Sequence, residues 1–486
     1  MGKSIKKNFI FNAVRIAAGM AFPLITFPYA SRVLSPEGIG RVNFANSVIA
    51  YVAMIAAVGI PLYGMREAAR VRDDRAKLGR ISSELLVINM LFTVIAYGAL
   101  GVSLLVSPRL RADADLILLV SAGVFFATIG MEWIYQALEE YEYITLRSIC
   151  FQAAAVVLLF VFVHDRTDTL AYAGLSAFTG IGANILNFIH LRKKIDFSFR
   201  GKLHLRRHLK PVMVMFLMNV AASIYLNLNA VMLGFLATSE SVGYYSAAQK
   251  IVQMVILFVA SLGTVLLPRS SYYIGTGRHE DFRRLVRTVV SFMFMLALPS
   301  AAGIMLLRGE FIHVFAGPLF ARSAEILAVT APSIIVIGLS GIIGMQILIP
   351  LGKEKITMYS VLAGTAVNFA INLVLIPRYA ERGAAVSVLA AEVTVLAVQI
   401  ICGRGHIRGI FSVKKILPYI AGTAALACAV VAVRYVFAGE IARIVVAVPV
   451  AAAVYFGILF AFREELAMMI FSHGKGVLRR FRRSDS

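Results

Sequence analysis

Two cations, Arg15 and Lys250, stand inside long apolar runs of this sequence, and two carboxylates, Glu132 and Glu392, stand inside others. A charge at the centre of a membrane span costs about 2.5–3.5 kcal/mol on insertion scales, so each marks a candidate functional position. Cations so placed can hold an anionic group. The carboxylates can pair with them or carry a coupling proton or sodium ion. At the α-helical rise per residue, Arg15 lies about 10 Å inside the cytoplasmic end of its helix, and Lys250 about as far inside the outer end of its own. They would stand at two depths of one cavity. The alternative for each is a long side chain that snorkels to the nearer interface.

The polar residues around these charges follow the helical period. Asn8, Asn12, Arg15 and Gly19 share one helix face, and Asn43, Asn46, Ser47 and Tyr51 share another. Asn219, Ser223 and Asn227 form a third stripe, and Ser246, Gln249, Lys250 and Gln253 a fourth. Amide and hydroxyl stripes on apolar helices suit a lining for a polar cargo. Four further cations border the spans: Arg32 at the first outer turn, Arg147 at the start of the fifth span, and Arg66 and Arg269 at the cytoplasmic mouth.

The elements that carry these residues must be membrane helices. Of the 486 residues 59% are hydrophobic and only 15% charged, with a mean hydropathy of +0.81. A soluble globule carries about 25% charged residues. Windows of about 20 apolar residues recur about fourteen times, each long enough to cross a hydrocarbon core as a helix. The alternation that a barrel strand requires is absent. Most of the 48 Lys and Arg fall in alternate links and at the termini. By the positive-inside rule this places both termini in the cytoplasm and accounts for the net charge of +22 without nucleic acid. Cys150, Cys402 and Cys428 form no spacing motif and read as buried apolar residues. The basic start, with Lys3, Lys6 and Lys7, leads into an uncleaved first span.

The chain repeats itself. The stretch Ser31–Ser47, a short polar turn between two spans, returns at Phe235–Lys250, and an offset of 203 residues places Gly40 on Gly243, Arg66 on Arg269 and Arg80 on Arg283. Such repeats are typical of transporters with a site between two halves. The reading is a first lobe over 1–190, a basic cytoplasmic linker over 191–210 and a second lobe over 211–403. Two peripheral helices over 404–462 and a polybasic cytoplasmic tail over 463–486 follow. The link Arg66–Arg80 reads as a surface helix, and Leu116–Ala137 as one continuous span.

Catalytic signatures are not evident. Asp73–Asp74 sits in a charged link with no domain around it, the histidines lack metal-ligand spacing, and no GxxxxGK[ST] phosphate loop occurs. A membrane glycan polymerase or transferase would also need a sizeable outer loop, and the outer links are short turns.

Several segments carry a resemblance. These are Ser31-Arg-Val-Leu-Ser-Pro-Glu-Gly-Ile-Gly40 with Asn43-Phe-Ala-Asn-Ser47, Tyr63-Gly-Met-Arg-Glu-Ala-Ala-Arg-Val-Arg-Asp-Asp74 and Trp133-Ile-Tyr-Gln-Ala-Leu-Glu-Glu-Tyr-Glu-Tyr-Ile-Thr-Leu-Arg147. Further on come Ile376-Pro-Arg-Tyr-Ala-Glu-Arg-Gly-Ala-Ala385 and the most specific run, Gly338 to Gly352-Lys-Glu-Lys355. The chain resembles the polysaccharide repeat-unit flippases (Wzx type) of the multidrug/oligosaccharidyl-lipid/polysaccharide exporter superfamily. The resemblance implies an all-α membrane protein of two six-helix lobes plus two C-terminal helices, with an alternating-access cavity. It implies an undecaprenyl-diphosphate-linked oligosaccharide as cargo, moved from the inner to the outer leaflet of a bacterial cytoplasmic membrane, with proton or sodium coupling and no cofactor or metal. Membrane lipids, a glycan polymerase and assembly machinery are the implied partners. On this reading the arginines and Lys250 meet the diphosphate, and the Asn, Gln and Ser stripes meet sugar hydroxyls. A drug or peptidoglycan-precursor exporter of the same superfamily is the alternative.

Overall fold

The computed structural model describes residues 5–199, 203–407 and 413–469. The basic tail with Arg479–Arg483 lies outside them. All regular structure among the described residues is helical, as it must be where backbone groups have no water to bond. In chain order the helices are α1 (Ile5–Ala57), α2 (Ile60–Arg70), α3 (Arg75–Val106), α4 (Pro108–Ala112), α5 (Ala114–Gly130), α6 (Glu132–Ala137), α7 (Tyr141–Phe162), α8 (Thr169–Leu191) and α9 (Arg206–Leu236). Next come α10 (Ser239–Gly275), α11 (His279–Leu306), α12 (Arg308–Ala316), α13 (Ser323–Thr330), α14 (Ser333–Gly341), α15 (Glu354–Ile407), α16 (Val413–Val436) and α17 (Glu440–Ala461). Among the described residues ten helical stretches are long and apolar enough to cross a membrane, and Ala114–Gly130 and Ser223–Leu236 are shorter apolar helices.

Two of the long stretches are broken rather than straight. In α1 the break is one residue, Ser35 at φ 64°, ψ 170°. Pro36 follows it, and a residue before proline is driven out of the helical region. The polar turn expected around residues 31–47 therefore shrinks to this single position. In α15 the break is Ala380 at φ 47°, ψ −124°, and at Gly383 an added Cβ would lie 2.5 Å from the Leu375 carbonyl oxygen. Positive φ in a residue with a side chain costs on the order of 1–3 kcal/mol, so surrounding packing must hold both breaks.

The chain divides into two compact units, one ending at Gly243 and the other starting at Tyr244. In the first, α1 packs on α3, α5, α7 and α9, and α5 packs on α8. The expected span Leu116–Ala137 is not continuous: Met131, at φ 42°, separates α5 from the short α6. Nor is Arg66–Arg80 one helix, because residues 71–74 turn and Asp74 caps α3 by accepting from the Lys77 amide at 3.0 Å. Short α6 lies on α2, where Gly64 leaves room for the Trp133 ring; a Cβ there would approach it to 2.8 Å.

The polar link after α8 is docked, not loose. Ile195 is buried, the Ser198 amide donates to Ser83 Oγ at 2.9 Å, and the His204 amide donates to Glu84 Oε1 at 2.9 Å. Buried Glu84 also meets His208 Nε2 at 2.8 Å, and His208 Nδ1 meets the Tyr63 hydroxyl at 2.8 Å. One more close approach belongs to this unit. A Cβ on Gly40 would lie 1.7 Å from the Ser239 carbonyl oxygen, and one on Gly243 would lie 2.0 Å from that of Pro36.

In the second unit α11 packs on α14 and α16, and α16 packs on α17. The two helices expected to be peripheral are tied in: the Tyr455 hydroxyl donates to the Met295 carbonyl at 3.0 Å, and buried Glu310 accepts from Arg434 at 3.3 Å and Arg443 at 3.4 Å. Within the run Gly338–Lys355 the helix loosens to a π-helix over Ile342–Leu348, where buried Gln346 accepts from Ser270 Oγ at 3.1 Å and donates to the Gly263 carbonyl. The three cysteines are exposed on helix surfaces instead of buried. A small apolar thiol tolerates a lipid-facing position as well as a core one.

Candidate functional site

Three charged residues from three helices meet in the first unit. Arg15 of α1 donates from Nη1 to Glu132 Oε1 at 2.8 Å, and Arg147 of α7 donates from Nη2 to Glu132 Oε2 at 3.0 Å. Arg15 turns inward to this carboxylate and does not snorkel. The break at Met131 puts Glu132 at the start of α6, within reach of both arginines. Arg147 is the fixed partner: its side chain is 4% exposed, and its Nη1 donates to the Ala183 carbonyl at 3.2 Å and to Asn187 Oδ1. Arg15 and Glu132 are about one-third exposed, at 29% and 32%.

Two guanidiniums on one carboxylate leave the trio with a net charge of +1. Both Nε atoms are buried and have no hydrogen-bond partner. Buried N–H groups left without a partner are costly, and a side-chain shift that opened them would offer them to an anionic acceptor such as a phosphate oxygen.

A cavity of about 770 Å³ adjoins the trio, lined among others by Asn8, Asn12, Arg66, Arg72, Gln136 and Glu139. Two lining residues touch both. Asn12 Oδ1 accepts from Arg15 at 3.4 Å, and Gln136 Nε2 donates to Glu132 at 3.4 Å. Arg66 lies 5.4 Å above the Tyr63 ring and donates to Glu67 at 3.2 Å. Glu139 accepts from Arg72 at 2.8 Å and from Asn8 at 3.4 Å. Arg72, Gln136 and Glu139 were not among the expected site residues. Their signal lies in the family-like segments around residues 63–74 and 133–147, where nothing local distinguishes a lining residue from its neighbours.

Other expected residues of this unit lie apart from the trio's contacts. Arg32 is exposed and donates to the Pro28 carbonyl at 2.6 Å. Ser47 is buried and donates to the Asn43 carbonyl at 2.8 Å, while Asn46 is exposed. On α9, Asn219 is exposed and Asn227 donates to the Ser223 carbonyl at 3.0 Å. In the second unit, Gln249 and Lys250 are half-buried on α10, Gln253 is exposed, and Gln249 Oε1 is buried without a hydrogen-bond partner. Arg269 is exposed, donates to the Tyr273 hydroxyl at 2.9 Å and lies 5.5 Å from that ring, and Glu392 is buried on α15.

Residues 5–273 match the family model described as polysaccharide biosynthesis protein, which is more than half of the chain. The chain belongs to this family. Residues 211–374 also match the MatE model. It is 25% identical over 411 residues to the "Putative O-antigen transporter" of Escherichia coli K12, covering 83% of this chain and 97% of that protein. It is also 25% identical to the protein of the same name from Shigella dysenteriae, covering 81% and 98%. Among solved structures, one titled "Lipid II flippase MurJ, inward closed conformation" superposes with a TM-score of 0.73 at 14% identity, over 94% of this chain and 99% of that one. An inward-facing multidrug resistance MATE family transporter of the MOP superfamily gives 0.64 at 14%, over 82% and 98%. The fold is therefore that of these membrane transporters, and the family is one of transporters and not enzymes.

Proposed function

We propose that the protein is a flippase that carries undecaprenyl-diphosphate-linked oligosaccharide repeat units from the inner to the outer leaflet of a bacterial cytoplasmic membrane by alternating access. The observation that carries this reading is the Arg15–Glu132–Arg147 trio, a net cation joined through Asn12 and Gln136 to the lining of a cavity. The arginines receive the diphosphate, helped by Arg66, and Asn12 and Gln136 receive sugar hydroxyls. Glu132 holds the cations in register when no cargo is bound, and its release gives a place for a coupling proton. Lys250, Gln249 and Glu392 supply the polar groups of the second half. The names of the relatives support the cargo class. The helices broken at Ser35 and Ala380, taken as two crossings each, together with the two shorter apolar ones support fourteen crossings, which put both termini on one side; the Lys and Arg of the alternate links support the cytoplasm as that side.

Transport of a lipid-linked oligosaccharide in vesicles tests the assignment. Arg15→Ala and Arg147→Ala should each slow translocation by about tenfold or more; wild-type rates in both would remove the trio from the mechanism. A peptidoglycan-precursor exporter is the second reading, favoured by the superposition on a lipid II flippase. Competition between the two lipids in the same vesicles separates them.

A further inference from the structure

At one end of the second unit, the first turns of α11, the first turn of α16 and the segment after α17 enclose a separate cavity of about 290 Å³. Its charges are mixed and sorted. Arg284 and Arg287 stand three residues apart on one face of α11, with Lys415 across from them, and Glu280 and Glu465 supply carboxylates. The floor is built: Glu464 accepts from the Tyr419 hydroxyl at 2.6 Å and from the Ala467 amide at 2.7 Å, and Tyr419 is buried. Both Glu464 oxygens are thus committed. The pair Lys415–Glu465, at 3.8 Å, and Arg283–Glu280, at 3.3 Å, are exposed contacts of the kind worth little in water. A ligand carrying both signs can replace them without leaving a charge unpaired.

We propose that this cavity binds a phosphate ester bearing a primary ammonium, presented by a membrane lipid. Phosphate oxygens match the arginine and lysine donors, and an ammonium with N–H groups matches the carboxylates; a quaternary ammonium has no N–H to give. The lipid source follows from position. The lining residues sit where the apolar stretches of α11, α16 and α17 end, which is headgroup depth. The proposal does not depend on which cargo is transported.

Native mass spectrometry of the full chain, released from nanodiscs holding equal phosphatidylethanolamine, phosphatidylcholine and phosphatidylglycerol, tests it. The wild type should retain phosphatidylethanolamine about tenfold over the other two, and Arg284→Ala/Arg287→Ala should lose that preference. Should this variant not fold, Glu280→Lys/Glu465→Lys provides a second reading, because it should shift retention to phosphatidylglycerol. Equal retention of the three lipids by the wild type, or an unchanged preference in the folded variants, overturns the site. Complete displacement of the lipid by millimolar soluble phosphoethanolamine overturns its lipid character.

Discussion

Glu132 holds two arginines that differ in burial, and this asymmetry sets what each substitution should do. Arg147 is enclosed and bonded on three sides, whereas Arg15 keeps 29% of its side chain exposed. Removing one partner of a buried pair costs on the order of 3–5 kcal/mol, since the other charge is left uncompensated. Arg147→Ala should therefore lower the melting temperature in detergent by several degrees, and Arg15→Ala by clearly less. Glu132→Gln keeps the shape and removes the negative charge, raising the trio from +1 to +2. Binding of a diphosphate lipid analogue should tighten by about tenfold while turnover falls. Unchanged affinity would dismiss Glu132 as the internal counter-charge. Arg15 and Glu132 were each legible as charges inside apolar runs, but their meeting was not. They lie 117 residues apart, and no local periodicity connects them.

Breaks and close approaches decide how the helices serve the site. The presence of spans was legible because an apolar run of sufficient length has one stable conformation in lipid. Ser35 carried a signal in the proline that follows it. Met131 carried none, and this hidden break places Glu132. Gly40 offers a test at this level, because its hydrogen faces main chain that cannot move aside as a side-chain tip would. Gly40→Ala should destabilise by about 1–3 kcal/mol or more, seen as a lowered melting temperature. Gly98→Ala, with nothing within 4 Å, should be neutral or slightly stabilising. The cap of α3 gives a pH prediction. The Lys77 amide holds the Asp74 carboxyl below its usual range. A carboxyl depressed in the folded state contributes stability above its unfolded value of about 3.9, and this is lost as pH falls through the lower folded value. Hydrogen exchange in the first turn of α3, corrected for intrinsic rates, should stay slow down to about pH 4 and speed up below it. Asp74→Ala should exchange fast throughout.

At the scale of the molecule, the charge asymmetry predicts a topology. In a cysteine-free background an impermeant maleimide should label Thr238→Cys from outside intact cells and leave Lys353→Cys unlabelled; the reverse pattern would invert the proposed orientation. The membrane class was readable from composition and hydropathy, which are properties of the whole chain. The docking of Ser198 and His204 on α3 was not, since a polar link with eight cations nearby reads as solvated, whereas Ser83 and Glu84 receive two of its amides.

The contact between residues 36–40 and 239–243 is reciprocal. At the repeat offset Pro36 corresponds to Ser239 and Gly40 to Gly243, so exchanging the two copies returns the same pair of contacts. A surface that meets its own copy in this way is the kind found in a twofold homodimer. At this crossing the main chain has the local geometry of a twofold axis, so Gly40→Ala and Gly243→Ala should destabilise the contact to a similar degree.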